Sequence, residues 1–277
     1  MAEIGVVQIS RWLETEGLRH GFSRRNGGIS TVYGEKSFNL GWTKEDEPEN
    51  VRENRRLLVE RVAPSMKLVT VRQVHGNGIH VIRGRDAGLG LLETPEGKAV
   101  LEGDGLVTDE PGVLLGVGTA DCVPVLVVDK AKRAVGAFHA GWRGTAARIA
   151  EHGIAAMRRE YGSKPEDLFA AVGPSIGVCC YTVGEEVREK FAAEFPYAAE
   201  LFRTEKDERG SLQMQIDLWE ANRRQLLEAG LTAGNIAVVG ECTGCERDTL
   251  GKRRYFSHRM EAGRTGRMLN VIGIANS

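Results

Sequence analysis

Gly112-Val113-Leu114-Leu115-Gly116-Val117-Gly118 and Val123-Pro124-Val125-Leu126-Val127-Val128-Asp129 lie in the most apolar part of the chain, separated only by Thr119-Ala120-Asp121-Cys122. Short apolar runs bounded by turn formers are too brief for helices and read as strands buried on both faces. Residues 134–139 read as a third such strand. After it, Gly141-Trp142-Arg143-Gly144 leads into a predicted helix from about Thr145 to Tyr161, with Ile149, Ile154 and Met157 facing inward. Outward from this centre, Pro48 opens a helix over 48–62 that puts Val51, Leu58 and Val62 on one face. Residues 184–195 and 217–229 read as amphipathic helices, the second capped by Asp217. Strands are expected at 67–74, 79–82, 168–173, 235–239 and 268–274, and residues 20–41 read as loop-rich. Strands and helices mix without strict βαβ alternation. The pattern therefore predicts an α/β chain with α+β character, one domain over 1–277 with a mixed β-sheet flanked by helices, rather than a Rossmann fold.

The whole composition narrows the function classes. Thirty-five glycines spread along 277 residues imply many short elements and tight turns. The 37 basic and 38 acidic residues nearly cancel, which argues against a bulk binder of nucleic acid or of a membrane surface. The N-terminal residues show neither a basic leader nor a long apolar run, and no stretch is apolar enough to span a membrane, so a cytoplasmic location is expected. Five cysteines, an odd number, do not suggest a disulfide framework.

Three motifs carry the most chemistry: Gln73-Val74-His75-Gly76, Ala120-Asp121-Cys122-Val123-Pro124 and His139-Ala140-Gly141-Trp142-Arg143-Gly144. Each places a potential ligand where a predicted strand meets a turn. His75, Cys122 and His139 together suit Zn²⁺, with a fourth position open for water that the metal activates near neutral pH. The plainer reading is a core cysteine and two loop histidines. Copper also accepts two imidazoles and a thiolate, but a laccase-type cluster needs about ten histidines, and this chain has six. Arg143 and Gly144, at a helix start, read either as an anion site or as a simple turn. Cys242-Thr243-Gly244-Cys245 reads as packing rather than a metal site, because the remaining cysteines, Cys179 and Cys180, are adjacent and vicinal cysteines chelate one ion poorly. The basic run from Lys252 to Arg267 reads as a solvated face or as a source of cations for an anionic substrate. Asp121 and Asp104 are candidate acids or bases; Asp121 is also a candidate orienter of a histidine, and Asp104 alternatively a turn former.

Taken in order, these motifs, with His20-Gly21-Phe22-Ser23, Asn39-Leu40-Gly41, Gly173-Pro174-Ser175-Ile176-Gly177, Asp217-Leu218-Trp219, Cys242-Thr243 and Phe256-Ser257-His258-Arg259, resemble the YfiH/PgeF laccase-domain family, which includes the YlmD proteins. The resemblance implies a fold similar to the cytotoxic necrotizing factors and a zinc or copper ion on His75, Cys122 and His139. It implies phosphorolysis of adenosine, inosine and methylthioadenosine, and deamination of adenosine; family members have also been described as polyphenol oxidases and peptidoglycan-editing factors. On this reading Asn39 and Gln73 bind ribose or base, and Arg143 and Gly144 hold phosphate. Thr182 and Met260 depart from the family pattern, where an acid and a second arginine are expected. Two alternatives differ in kind: a metal-free thiol hydrolase or amidase acting in peptidoglycan-precursor editing, with Cys122 as nucleophile and His139 as base, and a non-enzymatic module binding a cell-wall or division partner.

Overall fold

The computed structural model describes residues 4–84, 92–206 and 209–276. Two mixed sheets stack face to face. One runs β1 (Val6–Val7), β2 (Leu18–Ser23), β14 (Met268–Ile274), β7 (Val113–Thr119), β4 (Lys67–Thr70). The other runs β13 (Ile236–Val238), β10 (Leu168–Val172), β8 (Val123–Asp129), β9 (Ala134–Ala140), β6 (Gly105–Thr108), β5 (Ile79–Val81). Pairings are antiparallel except β4 with β7, β5 with β6 and β10 with β13. A separate hairpin joins β11 (Phe202–Lys206) to β12 (Leu212–Ile216). No described helix is long and apolar enough to cross a membrane.

The continuous apolar run of β8 follows from this layering. Alternate side chains along a strand face opposite ways. Val123, Val125 and Val127 pack with Ile149, Ile154 and Met157 and with Leu218 and Leu226, toward the helices. Leu126 and Val128 instead meet Leu115, Val117 and Ile272 between the two sheets. The far face of the five-stranded sheet is covered by the helix Pro48–Val62, through Leu58 and Val62 against Leu114 and Val271. Both faces of the central strands are thus dry.

The helix 48–62 and the strand 123–129 have the bounds expected from sequence, and Asp217 caps the helix Leu218–Glu228 by accepting the Glu220 amide at 3.0 Å. Three expectations are corrected. The helix predicted over 145–161 is two helices, Trp142–Ala146 and Ile149–Tyr161, because Arg148 takes a left-handed conformation between them. The strand predicted over 67–74 ends at Thr70, releasing the following residues as a loop. The stretch 20–41 holds most of β2 and all of β3 (Asn26–Ser30). Its polar residues obscure the strand pattern: His20 and Ser23 are buried, their polar atoms bonded to the Ile9 and Leu269 amides.

Candidate active site

The site forms where two strand ends and a loop meet. His75 lies in the loop after β4, Cys122 in the turn between β7 and β8, and His139 near the end of β9. The register of β8 on β9 pairs Pro124 with His139, which brings Cys122 alongside. The ligand atoms of His75, Cys122 and His139 all lie within 4.8 Å of one another. Gly141 matters here because a Cβ at that position would stand 3.0 Å from Cys122 Sγ and 3.3 Å from His75 Cδ2. Left-handed backbone occurs at His75 (φ 61°) and at Asp121 (φ 89°), so two of the three ligands are presented by sharp local turns.

Asp104 organises the cluster. It is fully buried, and its Oδ1 accepts from His139 Nδ1 at 2.8 Å and from the His75 amide at 2.9 Å. Oδ2 accepts from the amides of Gly76 at 2.7 Å and Val74 at 3.2 Å. Donation through Nδ1 leaves His139 Nε2 as the lone-pair atom available to a metal. Burial alone would raise the Asp104 pKa, but the hydrogen bond from His139 and the amides of Gly76 and His75 outweigh it and hold the carboxyl below the usual range. Burial also opposes charge on Cys122 and His139. The charge and hydrogen bonds of His139 and His75 nevertheless bring the thiol down to about 6, and those of Cys122 and Asp104 bring His139 up to about 9. With no metal present, each shift favours the charged form of its group, thiolate and imidazolium. A thiolate, two imidazole nitrogens and an outer carboxylate form a donor set that fits zinc with one position left open.

The cluster borders a cavity of about 670 Å³, a size suited to a small molecule. Trp42 and Tyr181 contribute aromatic walls. Arg55, Arg72, Lys98, Arg259 and Arg267 line it, while Asp121 is the only acidic residue among the described lining. Arg259 and Arg267 belong to the basic C-terminal run, so part of that run faces the cavity rather than solvent alone.

Several expected site residues stand elsewhere or do other work. Asn39 is buried with its amide spent on Gly41, Asp46 and Arg267, so it clamps a loop and has no free face for a sugar. Gln73 lines the cavity, but its amide is paired in both directions with the Gly118 backbone. Arg143 is exposed and stacks on Trp142, outside the described cavity lining. Gly144 is buried against the Gly76 carbonyl, which a Cβ would approach to 2.8 Å, and lies outside the described cavity lining. Asp121 does not orient a histidine: its oxygens accept from Thr243 Oγ1 and the Arg259 amide, each at 2.7 Å. Asp104 takes that task, and its four hydrogen bonds show it to be more than a turn former. Thr182 offers its carbonyl to Arg259 Nη1 at 2.6 Å, and the Met260 amide bonds Ser257 Oγ. Cys242 and Cys245, read from sequence as packing residues, lie close to the other two cysteines: the sulfurs of Cys179, Cys180, Cys242 and Cys245 are all within 4.8 Å of one another.

Residues 19–275 match the family model described as multi-copper polyphenol oxidoreductase laccase. The chain belongs to this laccase-like family. Within it, purine nucleoside phosphorylase YlmD of Geobacillus stearothermophilus is 39% identical over 259 residues, 91% of each chain. Adenosine deaminase RL5, from an unknown prokaryotic organism, is 39% identical over 200 residues, 72% of each chain. The crystal structure of the hypothetical protein YfiH from Bacillus licheniformis matches with a TM-score of 0.85 at 34% identity, covering 99% of this chain and 97% of that one. The mixed α/β architecture is thus the one this laccase-like family adopts.

Proposed function

We propose that this laccase-like protein is a metal-dependent purine nucleoside enzyme. It cleaves adenosine, inosine and methylthioadenosine with phosphate, giving free base and ribose 1-phosphate or its methylthio analogue, and it deaminates adenosine to inosine. The observation that carries this reading is the convergence of His75, Cys122 and His139 on one wall of a cavity whose charged lining is otherwise almost wholly cationic. The names of the relatives point the same way.

The three ligand residues would hold zinc, with copper as the competing ion; the bound metal would supply Lewis acidity and lower the pKa of a water molecule beside the substrate. The chain itself contributes binding and orientation. Arg72, Lys98, Arg259 and Arg267 attract phosphate, and their fixed charge favours the anion over bulk water. Arg72 is also ion-paired with Glu102, so its charge is partly spent. Trp42 and Tyr181 offer faces on which a purine can stack. Asp104 keeps His139 in one tautomer and one orientation.

The deciding experiment incubates metal-replete protein with adenosine, with and without phosphate. Adenine plus ribose 1-phosphate marks phosphorolysis and inosine marks deamination. His75→Ala, Cys122→Ala and His139→Ala are each expected to lose the one metal ion that these three ligands would hold, and both activities with it; metal content unchanged from the unsubstituted chain in all three variants removes the basis of the reading.

A second reading has its own support. Cys122 Sγ and a His139 ring nitrogen lie within 4.8 Å of each other, and each lowers the cost of charging the other, the arrangement that a thiol hydrolase or amidase acting on peptidoglycan precursors would use for its nucleophile and base. A chelator separates the two: it abolishes the nucleoside reactions and spares a thiol reaction.

A further inference from the structure

The four cysteines outside the active site come from two segments that leave the six-stranded sheet together. β10 and β13 are parallel neighbours, so their C-terminal extensions run out along the same edge. Ser175 and Cys242 continue the pairing as a bridge, with the Thr243 amide donating to the Ser175 carbonyl at 3.0 Å. One extension turns at Gly177–Cys180, closed by the Cys180 amide on the Gly177 carbonyl at 2.9 Å. That turn brings the two adjacent cysteines to one side. The other extension supplies Cys242 and Cys245.

The sulfur spacing is the telling quantity. Zn–S bonds of about 2.3 Å in a tetrahedron put neighbouring sulfurs about 3.8 Å apart. Cys179 Sγ and Cys245 Sγ are 3.7 Å apart, and all four sulfurs fall within 4.8 Å. Disulfide sulfurs would be bonded at about 2.05 Å. A multi-iron cluster would spread its cysteines over several metal atoms. We propose that Cys179, Cys180, Cys242 and Cys245 form a second metal site, a closed four-thiolate site for one zinc ion that ties the two strand extensions together.

The surroundings match a thiolate centre. The Gly177 amide donates to Cys242 Sγ at 3.2 Å, and the amides of Cys245 and Gly244 also address that sulfur. Four thiolates around one divalent ion leave net negative charge, and Arg247 and Arg253 both reach the neighbouring Gly244 carbonyl, at 3.3 and 2.6 Å. Binding releases the thiol protons to solvent, with no change of oxidation state. With all four positions filled by sulfur, this zinc has no place for substrate and is structural. Its reach to the active site is short in sequence. Tyr181, which follows Cys180, lines the cavity, and Thr243, which follows Cys242, bonds Asp121 beside Cys122.

The test measures metal rather than turnover. A chain carrying His75→Ala, Cys122→Ala and His139→Ala, purified under reducing conditions after growth with zinc, is expected to keep about one zinc per chain. Adding Cys179→Ser and Cys245→Ser should remove it. Gly244→Ala should weaken it without deleting a thiol, since a Cβ there would press on Cys180 Sγ at 3.0 Å. A well-folded active-site variant that holds no zinc, with the four thiols free to alkylate or joined as disulfides by mass, overturns the proposal. The unsubstituted chain gives an independent reading should the variants fail to fold. Treatment with an organomercurial should release two zinc ions per chain; release of only one, with the four thiols alkylating freely beforehand, likewise overturns it.

Discussion

Asp104 and His139 are joined twice: the His139 amide donates to the Asp104 carbonyl at 2.7 Å, and His139 Nδ1 donates to the Asp104 carboxylate at 2.8 Å. The same carboxylate gathers the amides of Val74, His75 and Gly76. One buried acid thus fixes the ring of one candidate metal ligand and the backbone of another, which places it in command of the cluster's geometry.

Asp104→Asn keeps the shape of the side chain and removes its charge. Its amide group must then face either backbone N–H donors or the imidazole N–H, so at least one hydrogen bond is lost. Loss of such an outer partner costs about 10–100-fold in metal affinity. Competition with a chromophoric chelator should show that drop while circular dichroism stays unchanged. An affinity within twofold of the unsubstituted chain contradicts the role given to Asp104.

Gly141→Ala tests crowding at the same centre. The added methyl carbon would sit 3.0 Å from Cys122 Sγ, closer than ordinary van der Waals contact allows. The thiolate must shift or the turn must move, and the three-ligand geometry suffers either way. The expected result is about tenfold or greater loss of zinc affinity, read by the same competition assay.

How much of this was legible in the sequence follows from the range of the forces involved. The helix 48–62 is announced locally, by Pro48 and by the spacing of Val51, Leu58 and Val62, and β8 by an unbroken apolar run. β2 is not, because His20 and Ser23 are buried through hydrogen bonds to Ile9 and Leu269, which no local pattern reveals. The break at Arg148 carries neither glycine nor proline. His75, Cys122 and His139 were named from motif and residue type. Asp104 remained a minor candidate, because its partners lie 28 to 35 residues away. Cys242 and Cys245 read from sequence as packing because the other two cysteines are adjacent; only the parallel pairing of β10 with β13, and the turn at Gly177–Cys180, show that all four sulfurs end side by side.

The metal-free active site should betray its ion pair through alkylation. With Cys122 held at about 6 by His139 and His75, iodoacetamide should modify it with a midpoint near pH 6, where an ordinary thiol needs a pH nearer 8.5. The Cys122→Ala chain supplies the background from the other thiols. Added zinc should suppress the reaction, since the same sulfur lone pairs are then engaged. A midpoint above pH 8 for the Cys122-dependent part would show that His139 does not share its proton in this way.

His20 predicts how stability depends on pH, away from either cluster. Burial lowers its pKa from 6.5 to about 4, and its Nε2 accepts the Ile9 amide at 2.8 Å, so the native ring is neutral. Between those values the unfolded chain binds a proton that the folded chain refuses. The contribution of His20 is therefore fully present above about pH 6.5 and is lost as pH falls toward 4. From pH 7 to pH 5 the loss is about 2 kcal/mol. His20→Gln keeps an acceptor for the Ile9 amide but cannot take up a proton in this range. Urea unfolding at the two pH values should therefore show the unsubstituted chain losing about 2 kcal/mol more than the variant. Equal losses would mean that the ring is protonated in the native state, and that the Ile9 hydrogen bond runs some other way.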